Sequence, residues 1–86
     1  MHKKTIAEDT KALLEDADIS EFNLEEGWAK LKDGSGHLFH PAKLLAVTRD
    51  SYGIPLYSTY RYTDDSFLGY GFDKILGKLV FKTYQP

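Results

Sequence analysis

Pro41-Ala42-Lys43-Leu44-Leu45-Ala46-Val47-Thr48-Arg49-Asp50-Ser51-Tyr52-Gly53 decides the fold, because it fits two different periods. Read as a helix, Pro41 takes the first helical position, Gly53 sits just past the end, and Pro55 forbids continuation. Leu44, Leu45 and Thr48 then share a face, with Ala46 and Val47 beside it. Read as a strand over Lys43 to Arg49, the β-branched pair Val47-Thr48 is the better fit. The punctuation favours a helix over 41–51. The expected architecture is therefore α+β: an N-terminal helix packed on a small, mainly antiparallel sheet, with a second helix near 41–51.

The flanks carry clearer signals. Downstream, Ile54 to Thr63 reads as a strand rich in Tyr and Thr. Leu56, Ser58, Tyr60 and Tyr62 alternate with Tyr57, Thr59 and Arg61. Thr63-Asp64-Asp65-Ser66 is a polar turn, in which adjacent acids are ordinarily solvated. Upstream, Asp33-Gly34-Ser35-Gly36 lies between apolar flanks and predicts a hairpin, with Trp28 to Lys32 entering and Leu38-Phe39 returning. A short turn or helix is expected near 20–26. Thr5-Ile6-Ala7-Glu8 forms a capping box, and Ile6, Leu13, Leu14 and Ala17 follow at helical spacing, giving a helix over about 6–17.

The C-terminal segment also fits two templates. Phe72, Ile75, Leu76, Leu79 and Val80 match a helical face, which Asp73 would cap. Gly77 interrupts that face, and Lys78 to Tyr84 is strand-like in composition. The reading adopted is a turn or short helix at 73–77 and a strand at 78–84 paired with 56–62.

Eighty-six residues make one small globular domain, 1–86, whose core is correspondingly small. The chain has no cysteine, so disulfides, thiolate metal sites and cysteine nucleophiles are excluded. No apolar run approaches the ~18 residues of a membrane span. The basic N-terminus, Met1-His2-Lys3-Lys4, runs into an acidic stretch where a signal peptide needs an apolar one. A cytoplasmic protein without membrane association is expected.

Constellations for chemistry are sparse. His37 and His40 lie between a Gly-rich turn and a proline, His2 is remote, and zinc needs three or four ligands. Asp16-Ala17-Asp18-Ile19-Ser20 begins like a calcium loop, but Glu21 stands where the turn requires Gly and Gly27 where a bidentate Glu belongs. No nucleophile elbow, phosphate-binding loop or zinc-protease motif occurs. The expectation is a non-enzyme without cofactor or metal.

Two local resemblances bear on function. Gly69-Tyr70-Gly71-Phe72 resembles the centre of the RNA-binding motif of cold-shock and RRM domains, in which strand aromatics stack on bases. Leu79 to Tyr84 resembles the second aromatic strand of the cold-shock type. Leu68 stands where an RRM carries a basic residue, and only 14 residues follow Phe72. A Gly-aromatic turn serving the core is the reading preferred here. Leu44 to Leu56, with Tyr60-Arg61, is similar to the helix–strand segment preceding the metal site of D-alanyl-D-alanine-type metallopeptidases. No His follows His40, so that resemblance implies a local helix–Gly–strand geometry and carries no activity.

Nine of the twelve aromatics fall within the last 35 positions, and six of those nine are tyrosines. A core this small cannot absorb them all, and Tyr at a surface is a favoured contact residue. Charge is segregated as well. Residues 1–40 hold nine acids against five bases, whereas 41–86 hold four acids against six bases. These features predict a protein-interaction module of the inhibitor, immunity or anti-defence type. Its expected contact residues are Tyr57 and Arg61 on the outer face of the 54–63 strand, with Tyr52 and Tyr70 nearby. The acids Glu15, Asp16, Asp18 and Glu21 form a second candidate surface. The alternative is a nucleic-acid-binding protein using its basic, aromatic C-terminal half, through Arg61, Lys74, Lys78 and Lys82. Self-association would be another way to cover the excess rings.

Overall fold

The computed structural model describes residues 3–85. Helix α1 (Ile6–Asp16) is followed by seven strands: β1 (Ile19–Asn23), β2 (Trp28–Leu31), β3 (Gly36–Leu38), β4 (Lys43–Arg49), β5 (Pro55–Arg61), β6 (Phe67–Asp73) and β7 (Lys78–Tyr84). They form two antiparallel sheets in simple sequence order, β1-β2-β3 and β4-β5-β6-β7. The α+β class and the N-terminal helix are as expected; the helix near 41–51 is replaced by a strand.

That replacement has a local cause. Asp50 accepts hydrogen bonds on one carboxylate oxygen from the Tyr52 and Ile54 amides, at 2.8 and 2.9 Å. Arg49 donates to the Gly53 carbonyl, and Gly53 has φ +80°. The Gly and Pro that suit a helix end serve a hairpin loop instead. Pro55, at the start of β5, sits where its missing N–H is tolerated. β4 then pairs with β5 from Lys43↔Arg61 to Arg49↔Pro55, with irregular register after Leu44 and Thr48. The geometry is thus strand–turn–strand, in place of the helix–Gly–strand implied by the metallopeptidase-like segment.

Three further differences concern pairing. The 20–26 region is mostly β1, which joins the Trp28 hairpin as a third strand. The Gly69–Phe72 segment is strand β6 rather than a turn. β7 forms over 78–84 as expected but pairs with β6, not with the 56–62 strand. The helix forms as read: Thr5 Oγ1 accepts from the Glu8 amide at 3.1 Å.

The core lies between the layers. Ala7 and Leu14 of α1, Leu24, and Ala29 of β2 meet Tyr60, Tyr62, Leu68 and Phe81. Rings bridge the sheets: Phe22 of β1 meets Tyr70 edge-on at 5.2 Å, and Tyr70 stacks on Tyr60 at 6.0 Å. Each such pair is worth about 0.5–1.5 kcal/mol beyond its buried area. The β5–β6 turn clamps the helix, since the Ile6 amide donates to Asp64 at 2.8 Å and the Ala7 amide to Ser66 Oγ at 3.1 Å. These side chains supply partners for helix-terminal amides that have none within the helix. Asp64 is held below the usual carboxylate range: desolvation pushes its pKa up, but the hydrogen bonds from Ile6 and Ser66 outweigh that.

Candidate functional site

Strand length sets up the candidate site. Each strand of the larger sheet has seven residues and spans roughly 23 Å, whereas the three- to five-residue strands of the smaller one span roughly 10–17 Å. The inner face of the larger sheet therefore runs past its cover. Tyr60, Leu68 and Phe81 are covered. One or two alternations further on, Leu56, Phe72 and Leu79 point the same way but are exposed. Phe72 is 59% exposed and pairs directly with Leu79. The β6–β7 turn adds Ile75 at 96% and Leu76 at 61% exposure. It is held in shape by Asp73, which accepts from the Ile75 and Leu76 amides.

This apolar end continues into an open groove of about 800 Å³ between the two layers. One wall is Leu14 of α1 with Ile19 and Phe22 of β1; the other is Leu76, Leu79 and Phe81. Glu15, Asp18 and Glu21 lie along the first wall and Lys78 along the second. Glu15 pairs with Lys11 at 3.1 Å and Asp18 with Lys32 at 3.4 Å. Exposed pairs of this kind contribute ~0–1 kcal/mol, so both acids can still receive a partner's cation.

The eight contact residues singled out from the sequence divide among four places. Glu15, Asp18, Glu21 and Tyr70 come together on the groove. Asp16 ends α1, exposed and outside the groove lining. Tyr57 and Arg61 lie on the opposite, outer face of the larger sheet, so Tyr70 is not their neighbour: it belongs to the ring cluster of the core. Tyr52 stands at the β4–β5 turn, 87% exposed. The apolar residues Leu76, Leu79 and Phe72 belong to the segment that fits both the helix and the strand template, and that pattern does not mark them as a site. Their signal was a run of large apolar side chains around a turn, more than a two-residue hairpin needs.

The outer face has its own order. Tyr57 lies along β6 over Gly69 and Gly71. A Cβ at Gly69 would fall 2.6 Å from its Cζ, and one at Gly71 2.9 Å from its Cδ2. Gly69 leaves room for this ring, and Gly71 for the ring and for the Leu56 carbonyl, whose oxygen a Cβ there would overlap. Burial pushes the Tyr57 hydroxyl pKa up, with a smaller contribution from nearby Tyr84. Phe67 and Tyr84, paired across β6 and β7, stack at 5.2 Å. Arg61 is bonded to Asp65. The acids of the polar turn thus have structural roles, Asp64 on α1 and Asp65 on Arg61. His37 and His40 are exposed, and His2 lies outside the described residues. Among the described residues, no helix is long and apolar enough to cross a membrane.

Set against known protein families, curated proteins and solved structures, the chain matches none of them.

Proposed function

We propose that this chain is a protein-interaction module, of the inhibitor or immunity type, that acts by occupying a partner rather than by catalysis. Its docking surface is the uncovered apolar end of the larger sheet together with the acid-rimmed groove. The observation that carries this reading is the continuity of Phe72, Leu76 and Leu79 with a groove whose far wall holds Glu15, Asp18 and Glu21. Contiguous exposed apolar surface rimmed by charge marks an interaction site. The occupant that fits is a protein presenting an apolar ridge flanked by Lys or Arg. The apolar contact would supply affinity, and the charges would supply orientation and association rate.

The test is capture from host lysate with nuclease present, comparing the native chain with Leu76→Ser/Leu79→Ser and with Glu15→Lys/Glu21→Lys. Both variants keep the native melting temperature within a few degrees. The first abolishes capture of a specific protein, and the second weakens it in a salt-dependent way. Capture that survives Leu76→Ser/Leu79→Ser overturns the assignment. Mass doubling with concentration, abolished by the same substitutions, overturns it in favour of a second copy as occupant.

A further inference from the structure

The outer face of the larger sheet is uncovered: α1 and the smaller sheet both pack on the inner face. Its register places Lys43, Arg61, Phe67 and Tyr84 in one row across all four strands. Thr59, Gly69 and Lys82 form the next row, and Tyr57, Gly71 and Val80 the one after. Adjacent strands are ~4.8 Å apart, so the first row spans about 14 Å. Three rings lie among three cations on this surface. Asp73 accepts from the amides of its own turn, and Asp65 pairs with Arg61 in an exposed pair weak enough for a phosphate to compete for the guanidinium. Charge also divides by layer. The acid-rich residues 1–40 build the helix and the smaller sheet, and the base-rich remainder builds the larger sheet. The formal net charge of −2 therefore conceals a basic, aromatic outer face.

We infer that this outer face binds single-stranded nucleic acid, with bases stacking on Tyr57 and Tyr84 and phosphates lying against Lys43, Arg61 and Lys82. Every base has a π-face, so stacking on Tyr tolerates any sequence, while the cations track the backbone. A four-stranded sheet is wide enough for two or three stacked bases. Gly69 and Gly71 keep the Tyr57 ring low against the strand, which leaves room above it. This site does not depend on the apolar end or on the acidic wall of the groove; the two surfaces meet only along edge strand β7, where Lys78 and Val80 also line the groove.

The test is fluorescence anisotropy with labelled oligouridylate and oligothymidylate, against a duplex of equal length, over a range of salt. Saturable binding of the single strands is expected, with a salt slope near −2 for three phosphate contacts at about −0.7 each. Tyr57→Ala weakens it about fivefold or more. Tyr84→Ala, at an exposed strand end where the core is untouched, weakens it in the same sense, and Lys82→Ala lowers the slope by about 0.7. Leu76→Ser/Leu79→Ser leaves it unchanged. Absence of single-strand binding at low salt overturns the inference. So does binding that Tyr84→Ala and Lys82→Ala do not alter, or equal affinity for the duplex.

Discussion

The two ends of the four-stranded sheet are made of the same strands with the same alternation, yet one is core and the other surface. At the closed end Tyr60, Leu68 and Phe81 meet the helix and the smaller sheet, and the Asp64–Ser66 turn clamps α1. At the open end Leu56, Phe72 and Leu79 continue the same inward-facing rows but are 42–59% exposed. Alternation reports which way a side chain points. It does not report how far the covering layer reaches, and that depends on strand lengths elsewhere in the chain. Apolar side chains left over in this way are the natural material of a binding surface, because their energetic return comes only when something else covers them.

The largest expected contrast is between Leu68→Ala and Phe72→Ser. Leu68 is completely buried, so its truncation should cost about 2–5 kcal/mol, including the cavity left behind. Phe72→Ser removes a larger side chain from a more exposed place and should change stability by no more than about 0.5 kcal/mol. Denaturant unfolding followed by Trp28 fluorescence measures both. Comparable losses would show that the open end is core after all, and the distinction between the ends would collapse.

Alkaline titration sharpens the same contrast. Burial, then the neighbouring Tyr70 hydroxyl, pushes the Tyr60 pKa up to about 12, and burial raises that of Tyr62. A hydroxyl whose pKa is raised in the folded state contributes stability that is complete below its unfolded value near 10. That contribution is lost as pH rises through the folded value. Stability should therefore fall between pH 10 and about 12. Part of the tyrosinate absorbance should appear only as near-UV dichroism is lost. Ionisation of all six tyrosines in a still-folded protein would remove the closed end's claim to be a sealed core.

How much of this was legible in the sequence follows the range of the interactions. The capping box at Thr5 and Glu8, the Asp33–Gly36 hairpin and the strand at 54–63 are local signals, and each reads correctly. Residues 43–49 do not, because Gly53 and Pro55 punctuate a hairpin as well as a helix. What decides is the turn at Asp50–Ile54 together with the strand it returns, the Tyr57–Arg61 stretch of β5, which residues 43–49 read by themselves do not contain. β6 was obscured for a related reason. Gly69 and Gly71 weaken a strand when read alone, and the room they leave for the ring of Tyr57 matters only once β5 lies alongside. The acidic half of the groove was visible as a charge block. Its apolar half was not, since period alone cannot separate a short helix from a strand.

The smallest effect concerns the clamp itself. Ser66 is fully buried, and its hydroxyl accepts from the Ala7 amide and donates to Asp64. Ser66→Ala leaves that amide without its partner and should cost about 1 kcal/mol, the usual scale for a lost cap. Asp64→Asn should cost less, because its side chain is exposed and screened. The pH dependence distinguishes the two. The Asp64 pKa is depressed in the folded state, so its contribution is present above the unfolded carboxylate value near 3.9. It disappears as pH falls through the lower folded value. The deficit of Asp64→Asn should therefore shrink as the solution is acidified, while that of Ser66→Ala retains its hydroxyl component. A pH-independent deficit for Asp64→Asn would mean that the closed end is held by packing alone, and that its turn contributes shape without charge.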